Sequence, residues 1–366
     1  MRAAFVYDEG FLKYDFGPSH PLRPERLSKT RGLIEDLGGF NQNCCVVSPR
    51  IANEAELLSI HSAEYLREIQ RLSASRGRLT SRGYGFEFPD NPPFAGMWEA
   101  SLLYTGASIT AAELVLAGEA TAAFNISGGL HHAMYSRASG FCVINDCVAA
   151  IHRLLEGVEK VAYVDIDAHH GDGVQAAFYS SPRVLTVSIH ESGRYLFPGS
   201  GFPEEVGEGE GFGYSVNVPL PPGTGDDVYM HAFDEVVPPL LSAFKPDALV
   251  TQLGADSHSE DPLAHLNVST ATYEHAFRFF KSLGIPWVAL GGGGYNVNSV
   301  SRIWTIAWFI MCGGDVPDAL PPEVCSRHGI SYLRDPMRTV SSGAVRDSVN
   351  ATLQRVKQLV FPVHGL

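Results

Sequence analysis

Residues 161–174 read VAYVDIDAHHGDGV. The apolar run 161–164 has the composition of a buried strand. Directly after it stand Asp165, Asp167, His169, His170 and Asp172. Side chains along a strand alternate between faces, so Asp165, Asp167 and His169 share one face if the extended geometry persists. Bare carboxylates buried side by side are costly and raise one another's pKa, so a cation is expected between them. The plain alternative is an exposed polar loop, the common fate of Asp, His and Gly after a strand. Ionisable side chains alternating this closely look more like metal ligands.

Outward from this stretch, apolar runs alternate with helical patterns. Strands are expected at 3–7, 122–126, 161–165, 184–189, 215–218, 248–253 and 287–290. Helices are expected at 24–37, 63–73, 94–117, 148–155, 227–244, 272–283, 299–311 and 345–359. Such alternation predicts an α/β fold with a mostly parallel sheet covered on both faces, which binds ligands beyond the carboxyl ends of its strands. The polar motifs obey that rule. Gly128-Gly129-Leu130-His131-His132 follows AAFNIS, Asp256 lies in LGADS after ALVTQ, and Tyr295 lies in GGGGYN after WVAL. These strand ends meet the one after VAYVD only if 122–295 build one sheet. A single domain over 1–366 is therefore expected, although the length would allow two. The stretch GEGEGFG (207–213) reads as an exposed loop.

The chain is 45% hydrophobic and 18% charged, the balance of a soluble globular protein with a large core. Its net charge of −13 and the lack of a Lys/Arg block argue against a nucleic-acid partner. No apolar segment reaches about 18 residues, so no membrane span is expected. IWTIAWFIMC (303–312) reads as a buried core helix. The start, MRAAFVYDEGF, carries an acidic interruption where a secretory signal needs an apolar region. The six cysteines form no CxxC pair, which excludes zinc-knuckle and thioredoxin readings. Reduced thiols in a cytoplasm are the expectation.

A hydrolytic metal centre takes three protein ligands and leaves a position open. Asp167 and His169 supply two, and Asp256 is the best third, although Asp-Ser-His-Ser after a strand also suits a helix N-cap. Two carboxylates and one imidazole suit zinc, or iron(II) in its place; calcium or magnesium wants more oxygen ligands. His131-His132 can serve as base toward a bound water and acid toward a leaving amine. Each needs a carboxylate to set its tautomer, and Asp165 and Asp172 remain for that task. GGGGYN lacks the endings of a P-loop or a dinucleotide turn. Its Tyr295 hydroxyl can donate to an oxyanion instead.

Together GGLHHA, GFCVIND, YVDIDAHHGDGV, FPGSG, LGAD and GGGGYN resemble the zinc-dependent histone deacetylase family, and within it the bacterial acetoin-utilisation type. Similarity runs from HPLRPERL (20–27) to about residue 317, leaving a C-terminal helical segment at about 318–366. The resemblance implies the three-layer arginase–deacetylase α/β/α fold with a central sheet of about eight strands. It implies zinc on Asp167, His169 and Asp256, and His132 as general base and acid, with His131 assisting electrostatically. It pairs Asp165 with His131 and Asp172 with His132, and turns Tyr295 toward the acetyl carbonyl. It implies tunnel walls at Phe141 and Phe197, a substrate-facing carbonyl at Gly140, and further substrate contacts at Gly293, Leu263 and the rim residue Asp90. Arg26 resembles the arginine beside an acetate exit channel. Potassium is implied at Asp165, Asp167, His169, Ser188 and Ile189, and again at Phe178, Ser181, Val184 and Tyr214.

The activity so implied is hydrolysis of acetyl, or another short acyl group, from protein lysine, releasing acetate. Acetylated enzymes such as acetyl-CoA synthetase are the implied partners, and a stand-alone bacterial enzyme is the expected setting. Three rivals remain. An acetylpolyamine amidohydrolase would use the same site, but no carboxylate gate is evident around Leu263. DAHHGD is similar to a motif of the binuclear manganese ureohydrolases, which need more carboxylates nearby. A non-catalytic acetyl-lysine binder would lack catalytic groups, and none is missing here.

Overall fold

A computed structural model describes residues 2–366. Its eight strands are β1 (Ala3–Val6), β2 (Cys44–Val47), β3 (Ala122–Asn125), β4 (Val161–Asp165), β5 (Val184–Glu191), β6 (Ser215–Leu220), β7 (Ala248–Gln252) and β8 (Trp287–Leu290). They form one sheet in the order β2-β1-β3-β8-β7-β4-β5-β6, and every pairing is parallel. Apart from the edge strand β2, each is buried along its whole length. A parallel sheet covered on both faces requires such continuous apolar runs.

The order matters for the site. The strands β3, β8, β7, β4 and β5 are neighbours, although the chain visits them in another sequence. Asn125, Leu290, Gln252, Asp165 and Ser188 lie in register across them. The motifs begin just beyond this row, so loops scattered from residue 126 to 296 converge on one edge of the sheet.

The helices Glu25–Asp36, Ala63–Ala74, Met97–Leu116, Asp146–Leu155, Asp226–Phe244, Thr270–Ser282, Val297–Met311 and Gly343–Val360 match the expected ones within a few residues. Val297–Met311 is almost wholly buried, as read from IWTIAWFIMC. Four elements escape sequence periodicity: β2 and the helices Glu54–Leu58, Asp172–Phe178 and Pro322–His328. Each is shorter than the window in which periodicity becomes distinct. The 207–213 loop is not simply exposed. Gly207, Gly211 and Gly213 are buried, since the loop folds back and Glu208 donates its N–H to the Tyr179 carbonyl at 2.9 Å. No helix among the described residues is long and apolar enough to cross a membrane.

Candidate active site

The strand β4 stops at Asp165, so a continued strand is not what aligns the acidic side chains. Asp165 Oδ1 accepts the Asp167 N–H at 3.1 Å, and Asp167 Oδ1 accepts the His169 N–H at 2.9 Å. Successive Asx-type turns thus keep the spacing of two after the ladder ends. Asp256 begins no helix. It lies in a turn beyond β7, and the next helix starts at Thr270 with Ser269 as its cap. Its Oδ1 accepts the Ala168 N–H at 2.8 Å, which ties the β7 loop to the β4 loop.

Asp167, His169 and Asp256 are buried and offer one donor atom each within 4.8 Å of one another. His169 Nδ1 stands 3.1 Å from Asp167 Oδ1 and 2.9 Å from Asp256 Oδ2. The other oxygen of Asp167, Oδ2, is held by Gln252 Nε2 at 2.6 Å and the Gly293 N–H at 2.7 Å. Burial and the charge of Asp167 push Asp256 up to about 7. Burial opposes charge on His169, yet its bonds to both carboxylates hold it well above the usual imidazole range. The pocket therefore demands a positive charge among these three groups. Two carboxylates and an imidazole fit a divalent metal of the zinc type.

His131 and His132 lie beside this set, also buried. Their Nδ1 atoms each stand 2.7 Å from a carboxylate, Asp165 Oδ2 and Asp172 Oδ1 respectively. Their Nε2 atoms face each other at 3.1 Å. With both Nδ1–H groups donated outward, one proton between the Nε2 atoms relieves the facing lone pairs. Burial disfavours charge on His131, but Asp165 and Asp167 outweigh it and push its pKa up to about 9. In His132 burial and the neighbouring His131 charge push the pKa down to about 4. One ring is thus poised as cation and the other as neutral base.

Above the histidines a narrow cavity is lined by Phe141, Gly140, Tyr295 and Gly293. Tyr295 packs edge-on to Phe141 at 5.7 Å and to His169 at 6.4 Å. Tyr295 is half-buried and lines this cavity, so it is not a core phenol. Phe197 packs on His132 at 5.0 Å and is 41% exposed. Gly140 has φ +49, and a Cβ there would sit 2.4 Å from His132 Cδ2. Asp90 is exposed beyond, its carbonyl 3.2 Å from His20 Nε2, whose ring packs on Phe141. Leu263 is half-buried, seven residues beyond Asp256 and outside the lining of the cavity itself.

Arg26 is not a surface charge. It is 4% exposed, stacks on Trp304, and donates Nη1 to the carbonyls of Gly292 at 2.7 Å and Gly294 at 3.2 Å. A second cavity runs beside it, bounded by Tyr14, Leu22 and Leu130, and meets the first at Leu22 and Leu130. Of the groups implied for potassium, Ser188 Oγ pairs with His190 Nδ1, and the Ile189 carbonyl receives the Tyr229 hydroxyl at 3.3 Å. The Phe178 carbonyl accepts from Ser181 and the Tyr214 carbonyl from Thr186, both at 2.9 Å; Val184 opens β5.

Several residues that shape the site were not singled out from sequence. Asp146 accepts the Gly129 and Leu130 N–H groups at 3.0 and 2.8 Å, fixing the turn before His131. Asn145 donates Nδ2 to the carbonyls of His131 and Ala133 at 3.1 and 3.0 Å. Both lie in GFCVIND, so their position in a quoted motif was the available signal.

The histone deacetylase domain model matches residues 20–311, most of the chain. The chain belongs to the histone deacetylase family. Within that family it is 41% identical over 331 residues to the acetoin utilization protein AcuC of Bacillus subtilis, covering 88% of this chain and 85% of that one. It is 34% identical over 363 residues to human histone deacetylase 1, covering 98% of this chain and 74% of the relative. The solved structure of a histone deacetylase homologue from Aquifex aeolicus superposes with a TM-score of 0.89 at 31% identity, covering 98% of this chain and all of the other. A homologue complexed with SAHA gives 0.88 at 32% identity, covering 97% and 99%. The expected arginase–deacetylase α/β fold is thereby borne out, and the chain is a deacetylase-family hydrolase.

Proposed function

We propose that this chain removes acetyl groups, or other short acyl groups, from the ε-amine of lysine in proteins, as one catalytic unit over its length. The observation that carries the proposal is the pair of carboxylate-backed histidines facing the Asp167, His169 and Asp256 donors. Zinc, with iron(II) as substitute, would be held by those three residues. When bound, the metal supplies Lewis acidity toward the acetyl carbonyl and lowers the pKa of water.

The chain's own residues do the rest. His132 takes the proton of the attacking water on Nε2 as that nitrogen exchanges its contact with His131 for the water, while Asp172 keeps its Nδ1–H oriented. His131, backed by Asp165, contributes positive charge beside it. The Tyr295 hydroxyl, on the cavity wall, donates to the carbonyl oxygen as negative charge develops there. His132 then passes its proton to the departing amine, giving acetate and free lysine. Phe141 and Phe197 flank the aliphatic stem, Gly140 offers its carbonyl to the substrate amide, Gly293 and Leu263 bound the acyl-lysine, and Asp90 receives backbone amides at the rim. Arg26 beside the second cavity suits departing acetate. Two potassium ions, at the residues named above, are assigned by resemblance alone, as are a cytoplasmic setting and acetyl-CoA synthetase as a substrate protein.

Protein lysine is favoured over a polyamine by the surroundings of Leu263. Glu191 is buried with its oxygens on the His265 N–H at 2.7 Å and His265 Nδ1 at 2.9 Å. Asp261 has both oxygens on backbone N–H groups. Both carboxylates are already engaged by the protein's own N–H groups, which leaves them less suited to a second ammonium. The test is kcat/KM for an acetyl-lysine peptide and for acetylspermidine, side by side on zinc-loaded protein. A peptide preference is expected; a strong acetylspermidine preference would replace the substrate and leave the chemistry standing.

A further inference from the structure

We propose that Asp261 is a positioning residue that acts through Tyr295 and couples the phenol to the tunnel rim. Asp261 is buried beside the loop that carries Asp256. Its Oδ2 accepts the Tyr295 N–H at 2.8 Å, and its Oδ1 accepts the Leu263 N–H at 2.9 Å. Its own N–H donates to the His258 carbonyl at 2.8 Å, so the carboxylate is anchored from its backbone as well. Hydrogen bonds to an ionised acceptor are stronger than neutral ones, and a buried N–H left unpaired is costly.

Tyr295 needs such a hold. It follows a run of glycines, with φ +104 at Gly292 and +129 at Gly294, that offers no side chains to lock the backbone. Arg26 grips the run through the carbonyls of Gly292 and Gly294, and Asn296 Nδ2 reaches the Glu260 carbonyl at 3.2 Å. The amide of Tyr295 itself is held by Asp261. One carboxylate therefore sets the approach of the phenol and the height of Leu263 together.

This inference rests on the reading of Tyr295 as the donor to the acyl oxygen, and its test separates the two. Asp261→Asn keeps the shape and one acceptor oxygen but turns an NH2 toward the second N–H. Full-length zinc-loaded protein is assayed on an acetyl-lysine peptide as wild type, Asp261→Asn, Tyr295→Phe and the double variant. Asp261→Asn is expected to lose about 10- to 100-fold in kcat, the cost of a small misplacement at a reacting centre. KM, zinc content and the thermal midpoint are expected to stay close to wild type. In the Tyr295→Phe background the same change is expected to cost less than about twofold, because coupled residues are not additive. If Asp261→Asn does not fold, Asp261→Ser, which retains an acceptor, enters the same cycle. Multiplying effects in the double variant, or a loss carried by KM or zinc content, would overturn the positioning role alone. Wild-type kcat in Tyr295→Phe would overturn it together with the reading of the phenol.

Discussion

His131 and His132 are adjacent and chemically identical, yet their carboxylates come from different elements, Asp165 from the end of β4 and Asp172 from the start of the following helix. That separation gives the two rings different surroundings, and their pKa values shift in opposite directions. His132→Ala is expected to lower kcat by about 10²- to 10⁴-fold, the usual worth of a general acid–base. Zinc content should be retained; kinetics with elemental analysis checks both, and undiminished activity would remove His132 from the reaction. Asp172→Asn, which swaps a charge for an amide at the His132 Nδ1–H, is expected to lower kcat while leaving KM near wild type. The histidines and Asp167, His169 and Asp256 were legible in sequence because buried ionisable groups at strand ends have few structural reasons to be there. Asp146, Gln252 and Asp261 were not. Their partners are largely backbone groups, which leave no trace in a sequence, and each stands as a single polar residue in or near a motif.

At the level of elements, the loop carrying Gly140 and Phe141 packs directly on His132. Gly140→Ala would place a methyl group 2.4 Å from His132 Cδ2 at a φ of +49, so the ring or the loop must move. Activity is expected to fall at least about tenfold while global stability changes by about 1–3 kcal/mol, the cost of overpacking. Kinetics beside a denaturation curve checks it, and an active variant would show the loop to be compliant. The C-terminal segment is tied to the site through Asp335, which accepts His258 Nε2 at 2.9 Å, the Thr270 N–H at 2.8 Å and Arg302 Nη1 at 2.7 Å. Burial alone would raise this carboxyl, but those donors hold it well below the usual carboxylate range. A depressed pKa stabilises the fold above the unfolded value of about 3.9 and is lost as pH falls toward the folded one. Asp335→Asn is therefore expected to cost about 1–3 kcal/mol at neutral pH, with a smaller gap to wild type at pH 3. Urea midpoints at both pH values test this; a gap that grows on acidification would contradict it. The long strands and helices were readable from periodicity. The edge strand β2 was not, since its four residues, half-exposed, carry no alternating pattern long enough to recognise.

Over the whole molecule, the site depends on a sheet order that differs from chain order. That β3, β8, β7, β4 and β5 are neighbours places the HH, GGGGYN, GAD and DIDAHHGD segments on one edge. Sequence could require that these ends meet in one sheet, but which strand lies beside which is decided by pairing across distant residues. The net charge of −13 surrounds a core so apolar that the acidic side chains at its edge stand out, and three of them, with His169, compete for cations. Asp165 is matched by His131, whereas Asp167 and Asp256 share His169, and these three are the group that could hold a metal. The most direct measurement is acetate release from an acetyl-lysine peptide by metal-stripped protein titrated with zinc, for wild type and Asp256→Ala. The account predicts no release without metal, recovery that saturates at one zinc per chain, and no recovery in Asp256→Ala. Release that survives stripping, or that saturates only at two metals per chain, would contradict it.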